Sequence, residues 1–221
     1  KLVYTFFALL VVRIGSSLII PGINSESISA FFDEFSAIGF FDAFTGGSFL
    51  NMSIFALNIT PYITSSIIIQ LLTIAIPKLE EMQKDGEDGR KKIATITRYV
   101  TVALAVIQST AMAVGFGRQG LLNEYNFVNA AIVVLTFTAG TAFLMWIGER
   151  ITEKGVGNGI SIVLVINIVS RIPSDMTSLF NQFVVGKSFA VGALATVIIL
   201  AVIILLVVFV ILLQDGQRKV A

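Results

Sequence analysis

Three stretches of this chain place polar or reactive residue types at suggestive spacing, and none of them assembles a catalytic centre. Gly155-Val156-Gly157-Asn158-Gly159 has the look of a phosphate-cradling loop, but no strand precedes it, and that motif works only in a strand–turn–helix setting. Its glycines instead suit a tight turn into the next apolar segment. Gly186-Lys187-Ser188 ends like a Walker motif, yet position 181 is Asn where the motif requires Gly. The third stretch, Thr60, Thr64, Ser65, Gln70 and Thr73, is rich in hydroxyls but has no base beside it. The chain has neither His nor Cys. That removes imidazole bases, thiolate nucleophiles, disulfides and soft-metal sites together. No enzyme, cofactor or metal centre is expected.

What remains chemically informative lies within apolar sequence. Ile59, Ile63, Ser66 or Ile67, and Gln70 recur at helical spacing and share one face. Polar groups on such a face either bind neighbouring helices together or wet one wall of a cavity, and the residues alone leave both readings open. Arg13 is the one charge well inside an apolar segment. It reads as structural, snorkelling or hydrogen-bonded to nearby carbonyls, because no carboxylate lies at membrane depth to pair with it. No Asp, Glu or His falls in any apolar segment, which argues against a proton- or cation-coupled transporter.

The elements that must position these residues are membrane helices. Of the 221 residues, 56% are hydrophobic and only 13% charged, with a mean hydropathy of +0.91. That is too little polar surface to cover a globule in water. A net charge of +1 provides no electrostatic footprint for direct nucleic-acid binding. Six segments approach the length of a span, near 2–20, 51–76, 99–116, 127–147, 159–172 and 189–213. The first is read as a retained span, since Pro21-Gly22-Ile23-Asn24 is no cleavage site, and Lys at position 1 points to a natural start further upstream. The second is overlong and carries Pro61, so a kink is expected there. The fifth is too short to cross unaided, a length tolerated beside a cavity.

Charge orients the spans. The 77–98 loop carries Arg90, Lys91 and Lys92 among its six basic residues, whereas residues 22–50 have no Lys or Arg. With six spans both termini share the basic, cytoplasmic side. The charged stretch Asp85–Lys92 reads as a solvated turn. Within the outer loop, 21–50, the apolar run Ile38–Phe44 is too short to span. Taken alone it suits an amphipathic helix on the outer leaflet, the rival being a re-entrant helix folded into a cavity.

The words of the sequence resemble the SecY family, protein-conducting channels of the plasma membrane. The resemblance rests on Arg13-Ile14-Gly15-Ser16 with Pro21-Gly22, Phe44-Thr45-Gly46-Gly47, Ser53-Ile54-Phe55-Ala56-Leu57 and Thr60-Pro61-Tyr62-Ile63 with Ser66–Leu72. It continues through Gly89-Arg90-Lys91-Lys92, Thr97-Arg98-Tyr99, Gly140–Trp146, Gly148–Glu153 and Gly155–Ile162, in order along nearly the whole chain. It implies an all-α polytopic bundle, here six of ten spans in two pseudo-symmetric halves, and a function in passing unfolded polypeptides across, and signal or transmembrane segments into, the membrane. By motif position Ile59, Ile63 and Leu164 match the aliphatic pore ring. Ile38, Phe40, Phe41, Ala43 and Phe44 match a plug helix, which reverses the interfacial reading of that loop. Thr64, Ile67 and Gln70 match one side of a lateral gate. The implied partners are SecE- and SecG-type small subunits, a SecA-type ATPase or the ribosome, signal sequences, nascent chains and the lipid bilayer. Two other classes fit the composition: a secondary transporter with a midplane site at broken helices, and a non-conducting scaffold for membrane-protein assembly.

Overall fold

The computed structural model describes residues 1–21, 42, 45–122, 124–183 and 189–216. Among them the regular structure is helical: α1 (Leu2–Ser16), α2 (Thr60–Ala75), α3 (Pro77–Lys84), α4 (Gly86–Arg118), α5 (Phe127–Lys154), α6 (Gly159–Phe183) and α7 (Phe189–Asp215). Extended backbone pairs at an isolated bridge between Ile19 and Ser53. The protein is an all-α polytopic bundle. Two compact units divide it, Lys1–Arg171 and Ile172–Ala221. Among the described residues four helices are long and apolar enough to cross a membrane, and a fifth span results if α2 and α3 count as one bent pair. At 15 residues, α1 is shorter. It measures about 22 Å against a hydrocarbon core of roughly 30 Å.

Three expectations about the elements need correction. The second segment is not one long kinked helix from 51 to 76. Its helix starts at Thr60, with Pro61 in the first turn, where its missing N–H would have had no intrahelical partner. The bend lies instead between Ala75 and Pro77, where the α2 and α3 axes turn by 102°. Ile76 is held extended there, at φ −112° and ψ 111°, as the residue before a proline prefers. The fifth segment is not short: α6 runs on through Pro173 to Phe183, and Gly159–Asn181 has 23 residues, enough to cross. The charged stretch Asp85–Lys92 is mostly helical rather than a solvated turn, and so is the 77–98 loop around it. That loop consists of α3 and the first turns of α4, broken at Asp85 where Gly86 takes φ +75°.

Helix α4 is the axle of the first unit, packing against both α2 and α5. It buries Thr97, Thr101, Ala105, Ser109, Ala113 and Gly117, a small residue at every fourth position. Between helices in lipid no hydrophobic gain is available, so a small-residue stripe brings backbones close and lets hydroxyls bond across. Thr101 bonds Ser65 of α2 at 2.5 Å, and Ser109 bonds Thr138 of α5 at 3.2 Å. The helix is 33 residues long, about 50 Å, so its charged N-terminal turns stand clear of any hydrocarbon core.

Candidate functional site

Residues 46–59, which lead into α2, wind through turns rather than helix. Gly46, Gly47, Met52 and Asn58 all have positive φ, and asparagine tolerates that conformation better than most side chains. The segment is nevertheless buried: Met52, Ser53, Ala56, Asn58 and Ile59 are each 2% exposed or less. Irregular backbone at membrane depth survives only where protein satisfies it. Here Ile20 donates its N–H to the Met52 carbonyl at 3.1 Å, and Ile54 donates to Leu18 at 3.0 Å. Ser53 donates to Ser48 at 2.9 Å, and Asn58 to Phe55 at 2.8 Å. The turn segment thus forms a rigid plinth against the end of α1, and α2 starts from it.

Ile59 is delivered at that start. Its carbonyl accepts the N–H groups of Tyr62 and Ile63, both at 3.0 Å, so Ile59 and Ile63 are one turn apart. Both join an aliphatic cluster built from Val12 of α1, Phe55 of the turn segment, Leu144, Ile147 and Ile151 of α5, and Val163 of α6. Leu164, the sequence-based partner, is partly buried, and its neighbour Val163 is the α6 residue at the heart of the cluster. Thr64 is partly buried and spends its hydroxyl on the Thr60 carbonyl at 3.0 Å, whereas Ile67 and Gln70 are exposed. Arg90, Lys91 and Lys92 are exposed on the first turns of α4. Ile38, Phe40, Phe41, Ala43 and Phe44 lie outside the described residues.

Beside the aliphatic cluster lies a polar one. Asp42 is fully buried and ion-paired with Arg171 of α6. Its Oδ1 also accepts the Leu50 N–H at 2.9 Å and the Thr45 hydroxyl at 3.3 Å. Arg13 donates to the Gly46 carbonyl at 3.2 Å, so its charge is spent on backbone. Asn167 of α6 donates to the Asn58 side chain at 3.1 Å.

The opposite end of α6 is held by the glycine turn. The Asn158 side chain accepts the Ile160 N–H at 3.1 Å and caps the helix. Thr152 accepts from Gly159 at 2.9 Å, and Thr5 of α1 accepts from Val156 at 3.3 Å. This is a helix-start turn whose Val156, Gly159 and Ile160 N–H groups donate to side chains of the protein itself. On the same side Arg98 of α4 pairs with Glu149 of α5 at 2.7 Å.

Sequence comparison now separates the three function classes. The family profile described as SecY matches residues 53–221, more than half of the chain. The protein translocase subunit SecY of Pseudomonas aeruginosa is 44% identical over 223 residues, covering the whole of this chain and 50% of that protein. The chain belongs to the SecY family. The Bacillus subtilis protein of the same description is 45% identical over 195 residues, 85% of this chain and 44% of its own length. That of Escherichia coli K12 is 44% identical over 188 residues, 82% and 42% respectively. The chain therefore spans about half the length of the curated relatives it matches. None of these relatives supports the transporter or scaffold readings.

For a SecY-family chain, two features of the site escape sequence reasoning. One is the buried plinth at 51–59, which reads as part of a helix because its residues are apolar and nothing but Asn58 hints at a left-handed backbone. The other is the Asp42–Arg171 pair. A signal for it existed: Asp42 and Arg171 are charges of opposite sign, each next to apolar residues, on the side poor in Lys and Arg. Spacing cannot connect residues so distant in sequence, so the pairing had to wait for the fold.

Proposed function

We propose that this chain forms the N-terminal part of the central channel subunit of a Sec protein translocase. As such it would pass unfolded polypeptides across, and signal or transmembrane segments into, the plasma membrane. The observation that carries the reading is whole-chain similarity to a protein named as a translocase subunit, at 44% identity. The site's chemistry agrees with it. Branched aliphatic side chains gathered around Ile59 and Ile63 offer water no hydrogen bonds, so a narrow ring of them dewets and blocks ions. They also repack around guests of different width, as a polypeptide pore requires. The mechanism is passive, and the energy comes from a partner, either a SecA-type ATPase or the ribosome. SecE- and SecG-type small subunits complete the complex. In this reading Ile59, Ile63 and Leu164 form this half's share of the ring. Ile38, Phe40, Phe41, Ala43 and Phe44 form the plug. Thr64, Ile67 and Gln70 line one side of a lateral gate, in keeping with the exposure of the last two. Both ends of the chain lie in the cytoplasm, with Arg90, Lys91 and Lys92 on that face.

The test is electrical. In the full-length channel reconstituted with its small subunits, Ile59→Gly with Ile63→Gly should raise resting ion conductance while leaving secretion largely intact. Unchanged resting conductance would remove the ring assignment.

A further inference from the structure

Aliphatic packing is non-directional and roughly proportional to the area in contact, so it cannot by itself hold a helix at one rotation and one depth. Something else must fix α6 against the plinth that carries Ile59. Val163, Asn167 and Arg171 follow one another at four-residue intervals, so they lie on one face of α6. Val163 and Asn167 meet the segment leading into α2, and Arg171 meets Asp42, which is tied to that segment through Thr45 and Leu50. Val163 shares the aliphatic cluster with Ile59. Asn167 bonds the side chain of Asn58, the residue immediately before Ile59, at 3.1 Å. Arg171 pairs with Asp42, whose other oxygen is bound by Thr45 and the Leu50 N–H. Gly46 adds a steric gauge: a Cβ built there would lie 2.7 Å from the Asn167 carbonyl oxygen, so the backbones are in close contact. The geometry points to a positioning role. We propose that the Asp42–Arg171 pair sets the depth and rotation of α6 on the plinth, and so sets how tightly Val163 and Leu164 pack beside Ile59 in the resting seal. The role rests on the channel reading given above.

The physical asymmetry is that charges are directional and costly to separate once buried. Asp42 has no exposed surface, and the Arg171 side chain retains 24%. Removing Arg171 leaves the Asp42 charge buried and without its counter-charge, and the segment must then shift until water or another group reaches it. A slip of α6 by one residue would rotate Asn167 away from Asn58 and Val163 away from Ile59 together.

The experiment uses the full-length channel with its small subunits in proteoliposomes, reading resting ion conductance and polypeptide export side by side. Arg171→Gln should raise resting conductance about tenfold or more, because it strands the fully buried Asp42 charge, and Asp42→Asn, which leaves the partly exposed Arg171, should raise it by less. The double variant should leak no more than the worse single variant, since each single change has already broken the same pair. Arg171→Lys, which keeps the charge, should stay near the parental conductance. Export should remain within about twofold throughout; a channel whose fold was merely weakened would instead lose accumulation and export together. Additive leaks in the double variant would overturn the pairing. A leak from Ile59→Gly with Ile63→Gly but none from the pair variants would overturn the positioning role alone. Leaks from the pair variants without one from the ring variant would overturn the ring reading, and this role with it.

Discussion

Ile59 sits where two constraints meet: a left-handed Asn58 behind it and the first turn of α2 ahead. Its side chain is thereby held by backbone geometry rather than by its own preferences. Neighbouring residues show how little slack surrounds it. Gly140 of α5 lies so close to the Ile54 carbonyl that a Cβ could not be placed without moving one of them. Gly140→Val should therefore destabilise the protein by about 1–3 kcal/mol through overpacking, seen as a lower unfolding midpoint in detergent. The Ser65–Thr101 bond offers the opposite case. Thr101→Val removes a 2.5 Å interhelical contact, but Ser65 can still donate to the Tyr62 carbonyl at 2.9 Å. The loss should be only about 0.6 kcal/mol, the usual worth of one such bond in a membrane. A loss several times larger in the same unfolding assay would mean that the hydroxyl pair does more than join two helices.

Among the elements, α4 shows most clearly how packing in lipid differs from packing in water. Its buried face consists of small residues at intervals of four, while Ile107, 64% exposed, points away. Enlarging the stripe should hurt more than trimming the outer face. Ala105→Leu should cost about 1–3 kcal/mol by forcing α4 from its neighbours. Ile107→Ala should stay within about 0.5 kcal/mol, as surface changes usually do. Equal effects of the two in a detergent unfolding series would contradict the close approach of the helices. The proline positions follow the same logic of backbone supply and demand. Pro61 falls in a first turn, where no hydrogen bond is lost, whereas Pro77 follows an extended Ile76 and marks the bend.

For the whole molecule, orientation is the most direct thing to check. Lys84 and Gln119 flank α4, so a single crossing by that helix places them on opposite faces of the membrane. The chain contains no cysteine, so single substitutions Lys84→Cys and Gln119→Cys can be labelled without background. An impermeant thiol reagent should reach Lys84→Cys only from the cytoplasmic side and Gln119→Cys only from the other. Labelling of both from one side would contradict the crossing and the orientation built on it. By itself the sequence determined the solvent, through a deficit of charge that only lipid tolerates, and the absence of imidazole and thiol chemistry. It also determined the all-α class and, through motifs such as Thr60-Pro61-Tyr62-Ile63 and Gly155–Ile162, the family. These are properties of composition, periodicity and local words, and each can be read without knowing which residues meet. The tertiary structure decided where α2 begins, that α6 is a full-length helix, and that Asp42 pairs with Arg171. The physical reason is that apolar residues look alike to a hydropathy pattern whether they form helix or buried turn. Whether the Met52 carbonyl or the Asn58 side chain finds a hydrogen bond depends on Ile20 and Asn167, tens of residues away, and only the folded chain brings those partners within reach.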